Sequence, residues 1–270
     1  QGVIMRSKGT PVDDLFPAIQ IPESREQASR KLLDEINQKH LAARPDDNEL
    51  AARIASYGLA AKMQMAVPEV TDLSRESPST HQMYGIENPA TTDFGRSCLL
   101  ARRLLEKGVR FVQLYSGGAF GSPRINWDGH ENMQNNHGRE AGRADKPLAG
   151  LIRDLRQRGM LDDTIVICTS EFGRTPFTQS ASDQLGTGRD HNQNGFSIWM
   201  AGAGMPGGRT YGATDEIGWQ ATENRTSWPD LHANLLHLLG INHERLTHYH
   251  NGIQRRLTNV HGKLLPELLG

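Results

Sequence analysis

The chain reads as an α/β protein built on a largely parallel sheet, and three observations point there. "VRFVQLY" at 109–115 and "TIVICTS" at 164–170 are both strand-like, and an amphipathic helix lies between them. A strand, a long loop, a helix and a second strand make a βαβ unit, which implies a parallel pair with a right-handed crossover. A third strand-like run, "FSIWMAG", follows at 196–202. The 270 residues suffice for one large domain of this class or two small ones.

The elements can be taken in order. Residues 1–22 are rich in proline and glycine and read as an irregular lead-in. Ser24 and Gln27 have capping-box spacing, and Ala28, Leu32, Leu33 and Ile36 share one helical face, which predicts a helix at about 24–41. "RPDDNEL" starts a second helix that runs to Gln64, with Leu50, Ile54, Tyr57 and Ala61 on one face. Pro68, Pro78 and Pro89 break the stretch 66–92 into a connection with a short helix. Asp93 is placed to cap a helix through "CLLARRLLEK", and Gly108 ends it. A polar, glycine-containing loop follows the 109–115 strand to about 139. Leu148, Leu151, Ile152 and Leu155 then mark a helix that stops at Gly159. "PDLHANLLHLLG" at 229–240 is a helix with proline in its first turn. The pattern divides the chain into a helical and irregular segment, 1–92, and an α/β region, 93–270. The strand-like fragments of the C-terminal tail have no assigned place.

Bulk composition excludes several function classes. Thirty Lys and Arg against 31 acids leave a net charge of −1, with no basic block for nucleic acid. No apolar run has the length of a membrane helix, and no signal peptide is visible. The two cysteines, Cys98 and Cys168, sit in apolar surroundings and read as free buried thiols. "AGAGMPGG" follows a strand but lacks the dinucleotide fingerprint, which sets a nicotinamide enzyme aside.

Ligands of open α/β sheets bind at the carboxyl ends of the strands, so the loops leaving those ends carry the candidate chemistry. The first holds Asp128 and His130, with His137 further on. A carboxylate and an imidazole so close are good metal ligands, yet a hydrogen-bonded pair that orders the loop is the commoner meaning of such spacing. The second holds Glu171, first after the strand, and Arg174, whose fork fits a tetrahedral oxyanion or an ion pair with Glu171 or Asp128. The third, "GTGRDHNQNG", holds Asp190 and His191. Residue types alone serve a metal site and a structural polar network equally. His232, His237, His248 and His250 read as helix-face or tail positions.

The motif order resembles the carboxyl half of the alkaline phosphatase superfamily, which includes sulfatases, phosphatases and cofactor-independent phosphoglycerate mutases. An acid-x-His loop precedes "LAGLIRDLRQRGMLDDTIVICTSEFG", then come a loop histidine, "FSIWMAGAGMPGG" and "PDLHANLLHLLGI". This looser resemblance covers roughly 109–242. Over the whole chain, "WDGH", "EFGRTP", "GRDHN" and "PDLHANLLHLLGINHERLT" resemble a bacterial sulfatase-like family, domain of unknown function 1501.

The resemblance implies an alkaline phosphatase/sulfatase-like sheet with helices on both faces, incomplete at its N-terminus. It implies a divalent metal (zinc, calcium, manganese or magnesium) held by Asp128, His130, Glu171, Asp190 and His191. His130 lies two residues nearer its aspartate than in those proteins, and His137 is the alternative. Phe172 stands where they have a metal histidine. Arg174 becomes the candidate catalytic residue, holding the anion. The implied function is hydrolysis of sulfate or phosphate esters, with a small anionic ester or a sulfated or phosphorylated glycan as partner. The implied location of the full-length protein is exported or periplasmic. In those proteins the nucleophile lies in the amino-terminal half, so this chain alone is expected to turn over weakly or not at all. The alternative is a non-catalytic scaffold that binds an anionic glycan or a protein.

Overall fold

The computed structural model describes residues 3–6, 9, 11–12, 19, 21–117, 126–181 and 183–269, with side chains for these except 59–60 and 62–66. Backbone contacts divide the chain into two compact units, Gln1–Tyr115 with Lys146–Leu148, and Ser116–Asp145 with Ala149–Gly270. No helix among the described residues is long and apolar enough to cross a membrane.

The first unit is helical. Helix α1 spans Glu23–Ala42, with Pro22 at its N-cap. The capping box expected at Ser24 does not form, because the helix starts one residue earlier and Gln27 donates instead to Glu23, one turn back. Leu32, Leu33 and Ile36 share a face as expected, but each is more than half exposed. Helix α2, Asn48–Thr71, is capped by Asp47, which accepts from the Leu50 amide at 2.9 Å. It continues past Gln64 and takes Pro68 into its last turns, at the cost of the one backbone hydrogen bond that a proline cannot donate. A 3-10 turn, Leu73–Arg75, and the short helix α3, Pro78–Met83, follow, each with its own side-chain cap from Asp72 and Ser77.

Helix α4, Thr92–Glu106, begins one residue before Asp93, so Asp93 sits in the first turn rather than at the cap. Gly108 ends the helix with φ +83°, a conformation that costs glycine nothing. The helix buries Cys98, Leu99, Leu100 and Ala101, and Val70, Leu73 and Tyr84 are buried in the same unit. Arg102 is buried with them and pairs with Glu76 at 2.8 Å and Glu106 at 2.7 Å. Burial alone would raise the Glu76 carboxyl, but hydrogen bonds from Arg102 and Arg103 outweigh it and hold the group below its ordinary value.

Residues 109–115 form no strand ladder. Their side chains do alternate, with Val112 and Leu114 half-buried between exposed Phe111, Gln113 and Tyr115. A strand needs a hydrogen-bonded neighbour as well as alternation, and none is paired to this stretch among the described residues.

The second unit carries the loops of interest. Helix α5, Met133–Gln157, begins earlier than the expected loop end near 139 and tolerates Pro147 within it. Gly159 follows it with φ +67°. Strand β1, Ile165–Cys168, lies within the expected 164–170 run. Two short strands come next, β2 (Gly173–Arg174) and β3 (His191–Asn192). Strand β4, Trp199–Gly202, pairs antiparallel with β1, with Ile165 opposite Gly202 and Cys168 opposite Trp199. Strands β2 and β3 pair antiparallel, with Arg174 opposite His191. Strands β5 (Ala213–Thr214) and β6 (Ala221–Glu223) make a third antiparallel pair. Among the described residues every pair is antiparallel and two-stranded, and the parallel crossover is not displayed.

Helix α6, Trp228–Leu238, has the full capping box between Ser227 and Asp230. The tail that had no assigned place is a hairpin of β7 (Thr247–His250) and β8 (Ile253–Arg256). Asn251 and Gly252 turn it, both at positive φ. A short helix α7, Pro266–Leu269, follows. Burial pushes the Cys98 thiol up to about 12. Cys168 is only half-buried, and burial raises its thiol too.

Candidate metal centre

The 127–130 turn, the β2–β3 pair and the 186–190 turn converge within the second unit. Strand pairing sets Arg174 opposite His191, which brings the second and third candidate loops together. Arg189 donates its amide to the Gly129 carbonyl at 2.9 Å, which ties the third loop to the first. The 186–190 turn also caps α5, since Thr187 accepts from the Asn132 and Met133 amides. Asn132 itself sits at φ +47°, so its amide and the next point out of the helix end toward Thr187.

Three ligand-type atoms meet at this junction. His130 Nε2 lies 3.0 Å and His191 Nε2 3.1 Å from Asp128 Oδ1, and the two imidazole nitrogens are 3.1 Å apart. Atoms bound about 2.1 Å from one ion lie about 3.0 Å apart at right angles and about 3.4 Å apart at tetrahedral angles. The observed triangle matches the right-angled set, one face of an octahedron. Two imidazole nitrogens at this distance need a proton or a cation between them. Two imidazoles and one carboxylate suit zinc, manganese or iron better than the all-oxygen preference of calcium and magnesium. The residues present therefore fit a divalent transition metal.

Asp128 is the electrostatic centre of the group. Arg174 Nη2 donates to its Oδ1 at 2.6 Å. That hydrogen bond is the main cause of a carboxyl pKa lowered to about 2; burial opposes it, and His191 and His130 reinforce it. Asp128 is therefore ionised across the physiological range. Arg174 is further fixed by hydrogen bonds to the Arg189 and Trp127 carbonyls at 3.1 and 3.3 Å. Of the two roles the residues allowed, the ion pair with Asp128 is formed.

Two expected ligands lie outside the cluster. The chain bends after β1, so Glu171 is exposed while the next residue, Phe172, faces inward. Its ring stacks on His191 at 4.0 Å with planes 29° apart. The cluster itself comprises Asp128, His130 and His191, without Glu171. Asp190 spends one carboxylate oxygen on the His191 amide at 2.7 Å, which shapes the turn rather than reaching the triad. His137 lies on α5, its Nε2 bonded to the Trp127 carbonyl at 2.8 Å, so His130 is the ligand-type histidine of the first loop.

Sequence reasoning missed Gln179, whose Oε1 lies 2.7 Å from His130 Nδ1. A glutamine 49 positions away carries no local signal of that contact. The model of a family described as "Protein of unknown function (DUF1501)" matches residues 1–269. The chain belongs to the DUF1501 family. No curated protein and no solved structure matches it.

Proposed function

We propose that this DUF1501 chain carries the metal-binding part of a hydrolase of sulfate or phosphate esters, on a sulfatase-like fold. The triad of Asp128, His130 and His191 carries the reading, because its atoms stand at ligand spacing around a common point. A divalent metal bound there would polarise an ester oxygen and acidify an attacking group. Asp128 supplies fixed negative charge to hold such a cation, and His130 and His191 supply neutral nitrogen donors. Arg174, beside Asp128 and 16 % exposed, is close enough to the triad to add positive charge for a tetrahedral anion. Neither cysteine is a good nucleophile, since burial keeps both thiols protonated.

A second reading rests on Phe172. Its ring covers one face of His191, where the superfamily pattern has another metal histidine. That replacement suits a one-metal site, or a scaffold that binds an anionic glycan without turnover. Hydrolysis of p-nitrophenyl sulfate and p-nitrophenyl phosphate by the full-length gene product, with zinc or manganese added, separates the two. Metal-dependent turnover that His191→Ala abolishes is the expected result. Retained anion binding with no turnover under either metal would support the scaffold instead.

A further inference from the structure

We infer that Gln179 is a positioning residue of the metal centre, fixing the His130 ring as its Nδ1–H tautomer so that Nε2 presents a lone pair to the triad. The inference rests on the metal reading above for its consequence, but not for its geometry. Gln179 Oε1 lies 2.7 Å from His130 Nδ1, and an amide oxygen can only accept. The ring proton must then sit on Nδ1. A neutral imidazole with its proton on Nε2 could not ligate through that atom, so the outer hydrogen bond decides whether His130 is a ligand.

The backbone shows that this contact is built. Gln179 donates its amide to the Gly188 carbonyl at 2.9 Å. A Cβ on Gly186 would lie 1.6 Å from the Gln179 carbonyl oxygen, and one on Gly188 would lie 2.0 Å from the His130 carbonyl. The turn 186–188 is thus pressed against Gln179 on one side and His130 on the other. Only glycine permits both approaches. Thr187, between the two glycines, holds the amides of Asn132 and Met133, just beyond His130. One turn therefore sets the separation between the glutamine and the histidine it orients.

Long-range proton–nitrogen NMR of histidine-labelled protein reads the tautomer directly. Wild type should show His130 as the Nδ1–H form. Gln179→Leu should give a mixture, and Gln179→Glu, which keeps an acceptor, should restore the single form. Zinc affinity, titrated with zinc alone, should fall about tenfold in Gln179→Leu and recover in Gln179→Glu. An Nε2–H tautomer in wild type, or one unchanged in Gln179→Leu, would overturn the inference. Equal zinc affinity in wild type and Gln179→Leu would overturn it while leaving the metal reading intact. A tautomer that responds in protein that takes up no zinc would remove the metal reading and reduce Gln179 to a loop contact.

Discussion

Two carboxylates in this chain are each surrounded by cationic or basic side chains, and they differ in what surrounds them next. Glu76 lies on the helical unit, its side chain 9 % exposed, between Arg102 and Arg103. Asp128 lies on a turn, 40 % exposed, between Arg174 and two histidines. In the first cluster both neighbours are permanent cations, and the group is largely shut away from solvent. In the second, two of the three partners are imidazoles, side chains that can present a ring-nitrogen lone pair to a cation. The same attraction thus makes a structural fastening in one place and a cation-ready cluster in the other. Burial and the choice of His over Arg make the difference.

Four substitutions or conditions sharpen that contrast, from the largest effect down. Glu76→Ala removes one of the carboxylates paired with buried Arg102, and the one paired with Arg103, and should cost about 3 kcal/mol in urea unfolding. A loss under 1 kcal/mol would show the cluster to be solvated. Gly188→Ala forces its new methyl group onto the His130 backbone. It should cost about 1–3 kcal/mol and weaken zinc uptake, which calorimetry with and without zinc can read. The control is Ser227→Ala, at the start of α6. It removes the capping box of α6 and should cost about 1 kcal/mol without touching zinc uptake.

The smallest effect is acid sensitivity. The folded pKa of Asp128 is lowered to about 2, below an unfolded value of about 3.9. Its contribution is therefore present above pH ~4 and is lost as pH falls through about 2. Solvent screening at this exposed side chain limits it to about 1 kcal/mol at most. Acid titration of wild type against Asp128→Asn checks this, the variant lacking that part of the slope.

Local chemistry was readable in the sequence and distant pairing was not. The stops at Gly108 and Gly159 and the helix at 229–240 follow from turn residues and helical spacing, and the structure has them. Asn251-Gly252 is an equally local hairpin signal, and the strand-like tail fragments that had no assigned place are the two strands it joins. The strand expected at 109–115 has alternation but no paired neighbour among the described residues, and a neighbour is not written in a single stretch. For the site, Asp128, His130 and His191 were recognisable by type. Glu171 is exposed and outside the triad, because a strand end does not fix which of two successive residues turns inward. Gln179 was invisible because only the fold of the 186–188 turn brings it to His130.

The central claim is that Asp128, His130 and His191 form one metal site. Isothermal titration with zinc, alongside metal analysis of the protein as purified, tests it most directly. The account predicts one equivalent bound per chain in wild type and at least a hundredfold weaker binding in Asp128→Ala and His191→Ala. Wild-type protein that carries no metal and takes up none, or variants that bind zinc as wild type does, would contradict it.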